Sequence, residues 1–216
     1  RHGHGDLRLR QVDPNHRQEL KPRLGRRRLL AGAGAVAGAV ALDAFAIEPA
    51  WLDVTRHDLA IERLPLALDG FSIAHVTDAH LRSMGRVELG IIEAVRQSQI
   101  QLVVLTGDIV DRPESLAVLA ELCSGLRAAG AAVVATLGNW EHWGGFTALG
   151  LAHEYARTGA SLLVNECADV GGVVVAATDD GYAGAPRWDQ TLASLAKLDT
   201  KGAPRLLLTH SPAMFE

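Results

Sequence analysis

Four apolar runs in this chain each lead into a polar cluster, and that regularity constrains the fold more than any other feature. Residues 71–77 lead into Asp78-Ala79-His80, and 102–106 into Gly107-Asp108-Ile109-Val110-Asp111. Residues 132–137 lead into Gly138-Asn139-Trp140-Glu141, and 206–209 into His210. Runs this short, rich in Val, Leu and Ala and apolar on both faces, suit strands covered by helices. Residues 173–178 form a fifth such run, and 51–61 (WLDVTRHDLAI) alternate apolar and polar as an outer or antiparallel strand does. Between the runs, helical periodicity places Val87, Ile91, Ala94 and Val95 on one stripe of 86–98. It places Leu116, Leu119, Cys123 and Leu126 on a stripe of 114–128, and Leu192, Leu195 and Leu198 on a stripe of 188–198. Gly130 and Gly150 stand where helix ends or turns are expected. Strands alternating with helices predict an α/β fold with a layered sheet.

Composition agrees with one globular domain carrying an appendage. The hydrophobic fraction is 48% of 216 residues, with 21% charged, 22 Gly and 8 Pro, which excludes disordered and collagen-like chains. The net charge of −4 conceals an asymmetry. Residues 1–28 carry nine Lys/Arg against three Asp/Glu, and the remaining 188 carry twelve against twenty-two. A body this acidic offers no broad footprint for a phosphate backbone, so nucleic-acid binding is not expected.

The basic start reads as two pieces. Residues 1–25 lack apolar periodicity and are expected to be a disordered leader, with His2 and His4 lacking any preformed geometry. Arg26-Arg27-Arg28 then precede an uncharged run of 14 residues, 29–42, followed by the small-residue triplet Ala44-Phe45-Ala46. That is the anatomy of an export signal, and the paired arginines resemble a twin-arginine signal read by its export machinery. Gly25 stands where Ser or Thr is usual and Leu29 where Phe is usual. A permanent span needs about 20 apolar residues, and Asp43 interrupts this run. Cleavage after Ala46 and retention as an anchor through 29–47 both stay open. The expected organisation is therefore leader 1–25, export signal 26–46 and a folded domain 47–216, placed outside the cytoplasm or on the membrane.

In open α/β sheets, sites collect at the carboxyl ends of strands. Four strands thus deliver Asp78, His80, Asp108, Asn139 and His210 toward one edge. Carboxylates and an amide oxygen are hard donors and imidazole is borderline, a mixture that suits Mn, Fe or Zn better than Ca. Gly107 allows a sharp turn before Asp108, which could then bridge two ions. Two cations about 3.5–4 Å apart clamp a phosphoryl group and lower the pKa of a water that becomes the nucleophile.

Taken together, D-A-H at 78–80, G-D-I-V-D at 107–111, G-N-W-E at 138–141 and a lone His210 resemble the calcineurin-like metallophosphoesterases. The family pattern is D-x-H, G-D-x-x-D, G-N-H-(D/E), a lone His and then G-H-x-H. Spacings of 30, 31 and 71 residues separate Asp78, Asp108, Asn139 and His210, and the resemblance spans about 70–216. It implies a layered, β-sandwich-like sheet core flanked by helices. It also implies two divalent metal ions (Mn, Fe or Zn), with Asp78 and His80 holding the first, Asp108 bridging, and Asn139 and His210 holding the second. Asp111 would be a supporting carboxylate rather than a ligand. The implied substrate is a phosphate mono- or diester. An export signal ahead of this pattern is similar to the envelope-associated branch acting on phospholipid-like or nucleotide-sugar-lipid substrates.

Two departures stand out. The family's His after Asn, which protonates or stabilises the leaving group, is Trp140 here, and indole donates one hydrogen bond but shuttles no proton. His142 is the candidate substitute. Trp140 and Trp143, with Gly144-Gly145, could form an apolar lip for an acyl or aromatic substrate or simply pack the loop. The second departure is that no G-H-x-H occurs, for which C-terminal truncation is the expected explanation.

Other residues carry less. His75 is expected to be a satisfied core histidine, and His57 and His153 to be solvated. Asp179-Asp180 could contact substrate or metal, or form a strand-to-loop turn. Cys123 and Cys167 are expected to be two buried thiols rather than a bridge, since nothing places them together. No G-x-S-x-G, P-loop or C-x-x-C occurs, which removes serine hydrolase, NTPase and thiol-redox chemistry. The expected function is a metal-dependent phosphoesterase. A non-catalytic interaction protein that keeps the fold is the alternative, and a lipid-head-group binder is a third.

Overall fold

Alternation within the buried strands sorts the domain into layers. The computed structural model describes residues 25–42, 51–198 and 202–212. The chain divides into two compact units, Arg1–Pro49 and Ala50–Glu216. In the second unit, β1 (Ile73–Val76), β2 (Leu102–Thr106), β3 (Ala132–Thr136) and β4 (Ser161–Leu162) form a four-stranded sheet in that order, every pair parallel. Strands β5 (Glu166–Val170), β6 (Val173–Ala177) and β7 (Arg205–Leu208) form a second sheet, with β5 antiparallel and β7 parallel to β6.

Side chains on successive residues point to opposite faces of a strand. Leu102 and Val104 of β2 and Val134 of β3 therefore pack with Val173, Val175, Ala177 and Leu208 of the second sheet. Val103, Leu105, Val133 and Ala135 turn the other way. They meet helices α2 (Arg86–Gln97), α3 (Leu116–Ala128) and α5 (Ala148–Arg157) through Ile92, Val95, Leu119, Leu122, Leu126, Leu151 and Tyr155. The result is two facing sheets with helices outside the first, the expected layered α/β core. A short helix, α4 (Asn139–Trp143), follows β3, and α6 (Trp188–Leu195) lies against β5, where Ser194 Oγ accepts from the Cys167 N–H at 2.9 Å.

Several expectations need correction. Residues 51–61 form no strand; Trp51, Val54, Leu59 and Ile61 are exposed along an irregular segment. Alternation supplies a face but not a partner strand, and a ladder needs both. Strand β1 lies at the sheet edge, so His75 is exposed rather than a core histidine, its Nε2 2.6 Å from Thr106 Oγ1. The α6 stripe is rotated, with Thr191 buried and Leu192 60% exposed. Gly150 is the third residue of α5, where its N–H donates to the N-cap Thr147 Oγ1 at 3.1 Å. Cys167 lies inside β5 and is half-buried, while Cys123 is fully buried, and both are free thiols. Burial pushes the Cys123 thiol up to about 12.

Of the first unit, α1 (Arg26–Leu42) contains the apolar run, and no helix of the described residues is long and apolar enough to cross a membrane. The expected leader 1–25 falls almost wholly outside the described residues, as does the triplet 44–46.

Helix α3 packs on β3 and touches both α2 and α5. Leu122 on it has no exposed area, so Leu122→Ala is expected to lower stability by about 2–5 kcal/mol. The check is the shift of the urea midpoint, with the dependence on denaturant unchanged.

Candidate metal centre

The two loops that leave β1 and β2 turn through the left-handed region together. Asp78 (φ 54°), His80 (φ 40°) and Asp108 (φ 54°) all adopt it although none is glycine, at a cost of order 1–3 kcal/mol each. A ladder between the loops holds them there. The Asp78 N–H donates to Gly107 O at 3.2 Å, His80 N–H to Asp108 O at 3.0 Å, and Leu81 N–H to Ile109 O at 2.9 Å. The strained turns re-aim Asp78, His80 and Asp108 so that one ligating atom of each lies within 4.8 Å of the others.

Two glycines bring the third loop into contact. A Cβ on Gly107 (φ 87°) would sit 2.5 Å from the Gly138 nitrogen, and one on Gly138 would overlap the Asp108 carboxylate. Only glycine permits this backbone approach. The contact is locked by Glu141, a carboxylate only 2% exposed. Its Oε2 accepts from the Gly138 and Asp108 N–H groups, both at 2.9 Å, and its Oε1 from Ile109 at 2.7 Å and Val110 at 3.1 Å. Glu141 thus caps α4 by reaching back from N3 to the N-cap N–H, and it also fixes the β2 loop to the β3 loop.

Asn139 and His210 complete the convergence. His210 Nε2 lies 3.2 Å from Asn139 Oδ1 and 3.3 Å from Asp108 Oδ2. Its Nδ1 is 2.9 Å from Thr106 O; a carbonyl only accepts, so Nδ1 carries the proton. In neutral His210 the Nε2 lone pair then faces two acceptor oxygens, an arrangement that a cation satisfies. The structure therefore brings all five sequence-predicted ligands into two groups that share Asp108: Asp78, His80 and Asp108 on one side, and Asp108, Asn139 and His210 on the other. Asp108 is also held from α4, its Oδ1 accepting from the Trp140 N–H at 2.9 Å. The donor types and the preset imidazole of His210 fit divalent ions, because a ligating His whose other nitrogen is hydrogen-bonded is oriented in advance.

Asp111 supports this group without joining it. Its carboxylate pairs in a fork with Arg82, both bonds at 2.5 Å, and accepts from Arg112 Nε at 3.1 Å, with Oδ2 3.7 Å from His80 Nδ1. The Arg82 hydrogen bonds hold the Asp111 carboxyl low, at about 2. His142 sits one turn after Asn139 on α4, its Nε2 2.7 Å from Asp179 Oδ1. Asp179 is buried and tied into the loop after β6 by the Asp180 and Ala185 N–H groups. Asp180 Oδ2 accepts from the Tyr182 and Ala183 N–H groups, so Asp180 makes the turn. The partner of His142 and the clamp made by Glu141 were not assigned from sequence. Spacing from the N-cap to N3 signals the Glu141 cap alone, and Asp179 is 37 residues from His142 with no local pattern linking them.

Comparison with known proteins fits this geometry. The model of the calcineurin-like phosphoesterase family matches residues 71–212, and the chain belongs to that family. It is also similar to the uncharacterized metallophosphoesterase YkuE of Bacillus subtilis (strain 168), 29% identical over 208 residues, which cover 92% of this chain and 70% of the relative.

Glu141→Gln turns an NH2 group toward backbone donors and removes the charge that accepts them. Bonds to a charged group contribute about 1.5–3 kcal/mol, so a destabilisation of at least that size is expected in urea melts, with weaker divalent-metal binding by calorimetry. Asp111 gives a pH signature. Because its folded pKa is depressed, its contribution is present above the ordinary value of 3.8 and is lost as pH falls toward about 2. The gap in urea midpoint between the parent and Asp111→Asn is therefore expected to be level from about pH 5 upward and to close on acidification.

Proposed function

We propose that this chain is a phosphoester hydrolase using two divalent metal ions. The observation that carries the reading is the convergence of Asp78, His80, Asp108, Asn139 and His210 into two donor groups that share the buried Asp108. Divalent cations held there would supply Lewis-acid charge and an acidified water. The protein's own part is positioning. Asp78 and His80 would hold one ion from the β1 loop, Asn139 and His210 the other, and Asp108 would link the two. The Glu141 clamp keeps Asp108 and Asn139 in register while the substrate's phosphoryl oxygens occupy the open side, where Asp78 is exposed.

His142 is the proposed proton donor to the leaving group. Asp179 on Nε2 orients the ring and leaves Nδ1 free to face the leaving group, and a carboxylate behind an imidazole is the usual way of fixing its orientation. Trp140 cannot fill this role. Its presence favours the second reading, an interaction protein that keeps the fold without turnover. The substrate we propose is a mono- or diester with a lipid-like part, an envelope phospholipid or nucleotide-sugar-lipid among them. The Arg26–Arg28 cluster before the apolar run of α1 supports export through the twin-arginine machinery, with membrane contact through 29–47.

Hydrolysis of p-nitrophenyl phosphodiesters or monoesters is expected to require Mn2+ or Zn2+ and to vanish with chelator. Asp108→Ala is expected to cut kcat/KM by roughly a hundred-fold or more, the scale of losing one electrostatic stabiliser. An unchanged rate in that variant would overturn the reading, and a folded parent that binds no metal would favour the interaction protein. His142→Ala is expected to slow esters with poor, high-pKa leaving groups by about a hundred-fold while sparing p-nitrophenolate.

A further inference from the structure

We infer that an exposed aromatic strip beginning at His80 is the subsite for an unbranched apolar chain esterified to the substrate's phosphoryl group. This rests on the phosphoesterase reading and adds the chemistry of the group carried by phosphorus. Trp140 packs edge-to-face on His80 (centroids 5.6 Å, planes 88°), Trp143 on Trp140 (5.2 Å, 77°), and Tyr182 on Trp143 (5.8 Å, 80°). These rings are not core. Trp140 is 42% exposed, Trp143 55% and Tyr182 77%, although the chain is only 5% aromatic.

The strip is held at both ends. Trp140 is fixed to the site because its N–H donates to Asp108 Oδ1. Trp143 follows it by three residues on the same face of α4. Gly144 packs so tightly on the Asp111 carbonyl that a Cβ would lie 2.7 Å from it, which pins the end of α4. Tyr182 belongs to a different loop, tied to α4 through the Asp179–His142 bond and to Asp180 through its own N–H at 2.8 Å. Apolar surface that rigid elements keep in water is costly, and burying it against a ligand recovers that cost without an ordering penalty.

Its shape selects the occupant. Three successive ring contacts, with centroids 5.6, 5.2 and 5.8 Å apart, present more aromatic surface than one nitrophenyl or nucleobase covers, so a single aromatic leaving group would use only part of it. A linear chain would lie along all three. The strip starts at a metal-ligand side chain, so the chain that covers it is continuous with the phosphoryl group rather than part of a separate partner.

The test uses Mn2+-loaded protein and p-nitrophenyl alkyl phosphodiesters with chains from methyl to decyl, below their micelle concentrations. Full burial of a methylene is worth a factor of about four and a one-sided strip about half that free energy, so kcat/KM is expected to rise about two-fold per methylene. Trp143→Ala and Tyr182→Ala are expected to flatten the gradient, and Trp51→Ala, at an exposed tryptophan outside the strip, to keep it. Tyr182→Ala alone decides the matter if Trp143→Ala does not fold by circular dichroism. Binding of n-alkylphosphonates, followed by tryptophan fluorescence, reads the same gradient without turnover. A parent with no gradient, or a gradient surviving in the strip variants, overturns the inference even where the esters are hydrolysed. Phosphonate binding that keeps its gradient in a protein hydrolysing no ester upholds the strip and overturns the phosphoesterase reading instead.

Discussion

The Glu141 carboxylate is the contact on which the site depends. Four backbone N–H groups from two loops converge on its two oxygens in a buried place, where no water can replace them. A buried charge is tolerated only when its hydrogen bonds are complete, and here the bonds that satisfy it are also those that set Asp108 beside Asn139. The left-handed turns at Asp78, His80 and Asp108 are unfavourable alone. They persist because the loop ladder and this clamp over-determine them, so strain at the site is balanced by hydrogen bonding just behind it.

A similar division of labour recurs around the candidate donors. Thr106 O orients His210 through Nδ1, Asp111 stands behind His80, and Asp179 stands behind His142. His210 and His142 therefore each have one ring nitrogen held by the protein. Arg82 and Arg112 keep Asp111 ionised, so its charge near His80 is a fixed property of the fold across ordinary pH.

Much of the architecture was legible because burial on both faces leaves a mark in composition. Strands β2, β3 and β6 read as apolar runs, and α3 reads as a stripe through Leu119, Cys123 and Leu126. The failures have physical causes. Residues 51–61 alternate like a strand but pair with no strand among the described residues, and His75 looks buried in sequence yet lies on an edge strand. Short elements such as α4 and β4 carry too few residues for a period to register. Leu192 joined an apparent stripe that the docking of α6 turned outward in favour of Thr191.

By itself the sequence determined which residues stand at the ends of which strands, and with that the donor types, their order and the tryptophan that follows Asn139. Those are properties of local order, since a strand end and its following residues are neighbours along the chain. Only the tertiary structure decided that Asp108 lies between two donor groups, that Glu141 stitches the loops, that Asp179 stands behind His142 and that Tyr182 extends the tryptophans. Each of these joins residues tens of positions apart, and no periodicity encodes such distances. They follow from the packing of two facing sheets, whose strand ends bring separate loops together.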